Sequence, residues 1–244
     1  MRYCDVVKKA QYDIENRPEY GYGKVQYKTC STWKNGNQIN LWTYWQGYQL
    51  DDIDKMGVDI LLVGQDWGNP ERNISVCKAI EEIQNGSKTA SYIPTVSTTD
   101  ITLSEMFKAF GDIDITKRDP GMRLFFTNYS LGYRCGSETG GMTKRLMRQD
   151  EELFNDLVSA VRPKIIICLG KLTYEMVSST AAKGFIKQLK EGEPFKALFP
   201  MNNAITVYGV AHPGARGLSN IGGRDNMFKA WKQIASEYIK LSEG

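Results

Sequence analysis

The sequence predicts an α/β protein built on a parallel β-sheet with helices on both faces. Two observations carry this prediction. Short, nearly continuous apolar segments, such as residues 60–63 and 165–169, are typical of strands buried on both faces. Segments with the apolar spacing of helices alternate with them along the chain, which is the pattern of strands joined by crossover helices.

Four strands are predicted in chain order, at residues 58–63, 123–127, 164–169 and 205–211. Helical spacing of apolar residues predicts helices at 75–84, 103–110, 149–161, 172–178 and 224–241. The third of these helices ends before Pro163, because the residue preceding a proline disfavours helical geometry. Residues 85–102 are rich in Ser and Thr and residues 132–141 are rich in Gly, so both are predicted to be loops.

Two units are predicted: an aromatic-rich N-terminal extension at residues 1–54, packed on a main domain at residues 55–244. The extension holds seven of the 13 Tyr and three of the five Trp, and Asn35-Gly36 within it suits a tight turn. Two interpretations of these aromatic residues stay open. They pack on the main domain, or they form a stacking surface for single-stranded nucleic acid.

Composition excludes several classes of function. With one His among 244 residues, a His-rich metal site is impossible, and any His-dependent catalysis must use His212. The five cysteines are dispersed without a CxxC pair, which favours reduced thiols in a cytoplasmic protein and no metal or other cofactor. No apolar run approaches the roughly 20 residues of a membrane span. Gly170-Lys171 lacks the remaining residues of a phosphate-binding P-loop.

Polar residues follow the predicted strands at the points where the strands end. Asp66 follows the first strand, Asn128 the second and His212 the fourth. Because ligands of open α/β sheets bind beyond the carboxyl ends of the strands, these residues are candidates for one site. Each also has a purely structural interpretation: Asp66 as a cap, Asn128 as a turn residue and His212 as a histidine with satisfied hydrogen bonds.

The motifs around these residues resemble the uracil-DNA glycosylase superfamily. Gly64-Gln65-Asp66 is similar to the start of its first motif, and Phe126-Thr127-Asn128, followed by Gly132-Tyr133-Arg134, is similar to the segment whose Asn reads uracil. Residues 162–171 resemble its third-strand segment, and His212-Pro213-Gly214 resembles its second catalytic motif. The resemblance covers about residues 55–241 and implies a three-layer α/β/α sandwich around a four-stranded parallel sheet.

The resemblance implies a DNA glycosylase that acts in base excision repair without a cofactor. Asp66 and His212 are the expected catalytic residues, the first activating water and the second stabilising the departing base. The residues expected to recognise the base are Gln65, Asn128, Trp67 and Gly68, and those expected to bind DNA are Arg134, Lys144, Arg145, Gly214, Arg216 and Arg224. Trp67 and Tyr92 are alternative candidates for an aromatic floor under the flipped base.

Several residues depart from the superfamily pattern. Trp67 replaces a usual Pro, and Gly68 replaces the Tyr that excludes thymine in the classical enzymes. Gly214 replaces a small polar residue, and Arg216 lies where relatives often have an apolar wedge. Two further hypotheses therefore stay open beside the glycosylase: a catalytically silent module of the same fold that binds nucleic acid or protein, and an enzyme acting on free nucleosides.

Overall fold

The computed structural model describes residues 1–16, 20–22, 25–29, 53–66, 98–115, 117, 119–130, 132–134 and 141–243. Its helices are α1 (Tyr3–Asn16), α2 (Ile53–Met56), α3 (Thr98–Phe107), α4 (Lys144–Met147), α5 (Glu151–Val161), α6 (Lys171–Ser178), α7 (Phe185–Lys190), α8 (Ala215–Ile221) and α9 (Arg224–Glu243). Its strands are β1 (Tyr20–Tyr22), β2 (Val25–Thr29), β3 (Val58–Gly64), β4 (Leu124–Asn128), β5 (Gly132–Arg134), β6 (Pro163–Leu169), β7 (Phe195–Phe199) and β8 (Asn202–Val210).

The main sheet confirms the predicted α/β class and corrects the number of strands. Its order is β4-β3-β6-β8-β7, in which the first four strands are parallel and β7 pairs antiparallel with β8. The sheet therefore has five strands rather than the predicted four. In β7, exposed Lys196 and Leu198 alternate with more buried neighbours, as expected of an antiparallel edge strand with one solvated face. Because β7 alternates exposed and buried residues and has no continuous apolar run, the sequence did not predict it.

Helices cover both faces of the sheet, as two consecutive residues of β4 illustrate. Adjacent side chains of a strand point to opposite faces. Phe125 contacts Tyr3 of α1 at a ring-centroid distance of 5.7 Å, whereas Phe126 stacks on Phe107 of α3 at 5.4 Å. On the second face, the fully buried Trp231 of α9 packs edge-on against Phe107 at 5.0 Å. One hydrophobic core thus extends through the sheet.

The N-terminal residues contribute to this same core. Tyr3, Val6 and Ala10 of α1 are buried, and the backbone N–H of Tyr3 donates to Oδ1 of Asp54 at 2.7 Å. On its outer side, Lys9 forms ion pairs of 2.6 Å with Glu152 and Asp156 of α5. The hydrophobic core therefore includes residues of both predicted units, 1–54 and 55–244.

Two segments predicted as loops contain regular structure. Helix α3 begins at Thr98, inside the predicted loop 85–102, and β5 occupies the start of the predicted loop 132–141. Strand β5 pairs antiparallel with β2, which pairs with β1, and the three form a second sheet. The strand that pairs with β5 is distant in sequence, so no local pattern indicated the pairing. The Gly-rich composition therefore predicted a loop. The helix predicted at 75–84 and the turn at Asn35-Gly36 lie outside the described residues. No helix within the described ranges is long and apolar enough to cross a membrane.

A clamp centred on Asp59 ties the amino ends of the strands to α9. Its Oδ1 accepts from Lys164 Nζ and from the Tyr238 hydroxyl, both at 2.9 Å, and its Oδ2 accepts from the Arg123 backbone N–H at 3.0 Å. Burial by itself raises the pKa of Asp59, but these hydrogen bonds outweigh it and hold the pKa below its ordinary value. The ionised carboxylate therefore stabilises the fold above the ordinary carboxyl pKa, and this contribution is lost as the pH falls through the lower folded pKa.

Replacing Asp59 with Asn is expected to lower the free energy of unfolding by about 1–3 kcal/mol near neutral pH, because it removes charge-assisted hydrogen bonds. Urea denaturation of the wild type and the variant measures the difference. The exposed Asp112, replaced in the same way, is the matched control and is expected to leave stability nearly unchanged. Equal free energies of unfolding for Asp59→Asn and the wild type would contradict the stabilising role of the Asp59 carboxylate.

Candidate active site at the carboxyl edge of the sheet

The carboxyl ends of β3, β4, β6 and β8 meet at one edge of the main sheet, since the four strands are parallel. Backbone hydrogen bonds join their loops. Tyr129 N–H donates to the carbonyl of Gly64 at 2.9 Å, and Ser130 N–H donates to the carbonyl of Gln65 at 3.1 Å. Across the sheet, Gly170 N–H donates to the carbonyl of Val210 at 2.7 Å. These hydrogen bonds therefore fix the direction in which the chain continues after each strand.

Asn128 is positioned by the absence of a side chain at Gly64. The two residues are register partners at the ends of β4 and β3. A Cβ atom added to Gly64 would lie 2.0 Å from Oδ1 of Asn128, far inside van der Waals contact. The half-buried carboxamide thus lies over the Gly64 backbone, and any other residue at position 64 must displace it.

Asp66 follows β3 by two residues and is partly exposed. Nε2 of Gln65 donates to its Oδ1 at 2.8 Å, so the Gln65 side chain orients the carboxylate. Gln65 was expected to recognise the base, and its side chain is here engaged with the neighbouring carboxylate. Burial lowers the pKa of His212, and the charge of Asp66 offsets part of that effect. The structure therefore brings Asp66 and His212 within electrostatic range of each other.

His212 follows β8 with its ring in a defined tautomer. The backbone N–H of Gly214 donates to Nδ1 at 3.0 Å, so Nδ1 carries no proton and the neutral ring holds its proton on Nε2. The side chain reaches solvent, yet the protein atoms around it desolvate the ring enough to lower its pKa, against the smaller opposing effect of Asp66. At neutral pH His212 is therefore an uncharged donor through Nε2.

Two glycines lie against His212, and Thr99 at the start of α3 lies beside one of them. A Cβ atom on Gly217 would lie 1.9 Å from the His212 carbonyl oxygen, so α8 can approach this loop only with glycine at that position. A Cβ atom on Gly214 would lie 3.0 Å from Nδ1 and 3.3 Å from Oγ1 of Thr99. Gly214 was expected to bind DNA, and in the structure its small size also makes room for the imidazole. Sequence reasoning missed Thr99, which lies in a segment predicted to be a loop.

The single histidine allows its protonation to be followed directly. We expect the one imidazole Hε1 signal in proton NMR spectra to titrate below the ordinary value of about 6.5, because desolvation disfavours the imidazolium. Asp66→Asn is expected to lower the midpoint further, because it removes the carboxylate that favours the charged ring. Since the unfolded chain binds this proton more readily, His212 lowers stability as the pH falls through about 6.5. A midpoint above 6.5 would contradict the assignment.

The predicted DNA-binding cations differ in their surroundings. Lys144 Nζ lies 2.7 Å from Oε2 of Glu175, and Arg224 NH1 lies 2.7 Å from Oε1 of Glu105. A phosphate must compete with a carboxylate at both positions. Arg145 and Arg216 are exposed, and Arg134 is the last residue of β5. Trp67, Gly68 and Tyr92 lie outside the described residues.

Sequence reasoning also missed the partners of the cations near the edge. Glu175 accepts from Lys144 and lies 3.7 Å from Lys171, the first residue of α6. No local pattern joins Lys144 to Glu175, although the spacing of Lys171 and Glu175 is that of a helical ion pair.

Across the described ranges, no group of three His, Cys, Asp or Glu side chains is placed to hold a metal ion. The chain matches no model of a known protein family and no curated protein sequence.

Proposed function

We propose that this protein is a DNA glycosylase that hydrolyses the N-glycosidic bond of uracil or a related deaminated base. The observation that carries the proposal is the neutral His212, which accepts from Gly214 through Nδ1 and keeps Nε2–H as a donor. It lies at the sheet edge that also presents Asp66 and Asn128. Together these groups offer a base-reading amide, a carboxylate and an uncharged donor.

The reaction breaks the bond between C1′ of the sugar and a ring nitrogen of the base. The bonding electron pair leaves with the base, so the sugar becomes cationic and the base anionic. Asp66 stabilises the cation through its charge, and Nε2–H of His212 donates to the oxygen on which the negative charge of the base develops. A water molecule then bonds to C1′ and passes its proton to Asp66, while the departing base takes a proton from solvent.

Base selection is assigned to Asn128. Its carboxamide offers one acceptor and one donor, which match the N3–H donor and O4 acceptor of uracil. Cytosine presents these groups in the opposite order at the corresponding positions. The close contact of the amide with Gly64 supports this role, because a reading group must be held in one position to discriminate between bases. Since C1′ is shielded in a duplex, the nucleotide must be flipped out or presented on a single strand.

The proposal is tested with labelled oligonucleotides that carry uracil, hypoxanthine, xanthine or a G·T mismatch, in single- and double-stranded form. After incubation, alkali cleaves the strand at each abasic site and reveals base release. We expect cleavage with at least one deaminated base, and Asp112→Asn as the matched control is expected to retain it. Absence of cleavage across the panel would overturn the glycosylase. Salt-dependent DNA binding without base release would instead support the silent module.

A further inference from the structure

We propose that Gln65 is a positioning residue of the candidate site rather than a reader of the base. Its side-chain amide holds the Asp66 carboxylate in the orientation that hydrolysis needs. The family resemblance had implied base recognition for this residue, so the inference changes its role. It rests on the proposed function and deepens it, because it states how the carboxylate that acts on the sugar is held in place.

The backbone that carries Gln65 is fixed by the strand beside it. Beyond the paired strands β3 and β4, Tyr129 N–H donates to the carbonyl of Gly64 at 2.9 Å. The next hydrogen bond runs from Ser130 N–H to the carbonyl of Gln65 at 3.1 Å. Tyr129 and Ser130 are both buried, so water competes little for these two hydrogen bonds. The Gln65 side chain therefore extends from a backbone that is held at two consecutive carbonyls.

The side-chain amide of Gln65 is directed at the next residue. Its Nε2 donates to Oδ1 of Asp66 at 2.8 Å in a partly buried setting, well within the range of an N–H···O hydrogen bond. A donor on a fixed backbone restricts the rotation of the carboxylate. An amide that read the base would instead direct its donor at the base. The observed contact therefore favours the positioning role, and Asn128 keeps the reading role.

The uncharged character of Gln65 suits the proposed chemistry. The reaction needs the full negative charge of Asp66 while the sugar becomes cationic. A cation in place of Gln65 would pair with the carboxylate and compete with the sugar for it, as Lys144 pairs with Glu175 at 2.7 Å near the same edge. A neutral amide fixes the direction of the carboxylate and leaves its net charge in place.

The first experiment compares rates of base release. Gln65→Met removes the donor at nearly constant side-chain length, and we expect the single-turnover rate to fall by about 10–100-fold, since a small misplacement of a reacting group has a cost of this order. The fall is expected to be equal for every deaminated base that the wild type releases, at unchanged DNA affinity. The matched control is Gln233→Met on α9, where Nε2 donates to the Gly192 carbonyl at 3.2 Å, and wild-type rates are expected. A loss that differs between bases would overturn the inference, because it would assign Gln65 to base recognition.

The second experiment does not depend on base release. The charge of Asp66 offsets part of the effect of burial on the pKa of His212, so the NMR titration midpoint of the single imidazole reports on where that charge lies. Without its donor, the partly exposed carboxylate turns towards water, which screens its charge. Gln65→Met is therefore expected to lower the midpoint towards that of Asp66→Asn, and to have no effect in the Asp66→Asn background. A wild-type midpoint in Gln65→Met, or equal shifts in the two backgrounds, would overturn the inference.

The two readouts separate this inference from the proposed function. If the wild type releases no base, the proposed function fails, and the midpoint still tests whether Gln65 holds the carboxylate. If base is released and Gln65→Met matches the wild type in both readouts, only the positioning role fails. Urea denaturation shows whether Gln65→Met folds, and Gln65→Ala tests the same contact if it does not.

Discussion

Asp66→Asn is expected to lower the single-turnover rate of base release by about 10²–10⁴-fold, because the amide can neither stabilise the sugar cation nor take a proton from water. His212→Ala is expected to cost about 10²–10³-fold, since it removes the donor to the departing base. Both rates are measured with excess protein over a labelled oligonucleotide that the wild type cleaves. Single-turnover conditions separate the chemical step from product release.

Two controls sharpen this prediction. His212→Gln keeps a hydrogen-bond donor and is expected to retain more activity than His212→Ala. Asp112→Asn changes an exposed carboxylate and is expected to behave as wild type. Asp66→Asn and His212→Ala are both expected to keep the DNA affinity of the wild type, so a lower rate reports on chemistry rather than on binding. Wild-type rates in both Asp66→Asn and His212→Ala would remove these residues from the mechanism.

Gly64→Ala is expected to reduce base release by about 100-fold or more, because misplacement of a reading group by about 1 Å has a cost of this size. The added Cβ atom would lie 2.0 Å from Oδ1 of Asn128, so the carboxamide must move. We expect the loss for uracil to be accompanied by weaker discrimination against cytosine. Rates on matched uracil and cytosine oligonucleotides measure both effects.

A double-mutant cycle shows whether Gly64→Ala acts through Asn128. In an Asn128→Ala background the added methyl group has no carboxamide to displace, so Gly64→Ala is expected to have a much smaller effect there. Equal effects in the two backgrounds would mean that Gly64 supports the backbone of the edge rather than the base-reading amide. Urea denaturation of each variant separates loss of activity from loss of fold.

Local sequence patterns predicted the part of the fold that follows from burial. Strands β3 and β6 are buried on both faces, so their apolar runs and the polar residues that follow them were readable from the chain. Strand β7 has one solvated face, and β2 becomes a strand by pairing with β5, more than 100 residues away, as at Tyr27 and Arg134. Neither leaves a continuous apolar run, so neither was predicted.

The candidate site divides in the same way. The positions of Asp66, Asn128 and His212 after their strands follow from topology, which the alternation of strands and helices predicts. The contacts that orient them depend on distant residues or on backbone atoms. Asn128 packs against Gly64, and Gly217 packs against the carbonyl of His212. Arg224 pairs with Glu105, which lies 119 residues away, so local sequence patterns do not predict this contact either.

The most direct test of the account is mass-spectrometric detection of the free base after the wild-type protein acts on deaminated oligonucleotides. The account predicts free uracil, or another free deaminated base, in equal amount to the abasic sites formed. The loss of this product in Asp66→Asn links it to the carboxyl edge of the sheet. Intact glycosidic bonds across the whole panel, with a protein that shows a cooperative urea unfolding transition, would contradict the account.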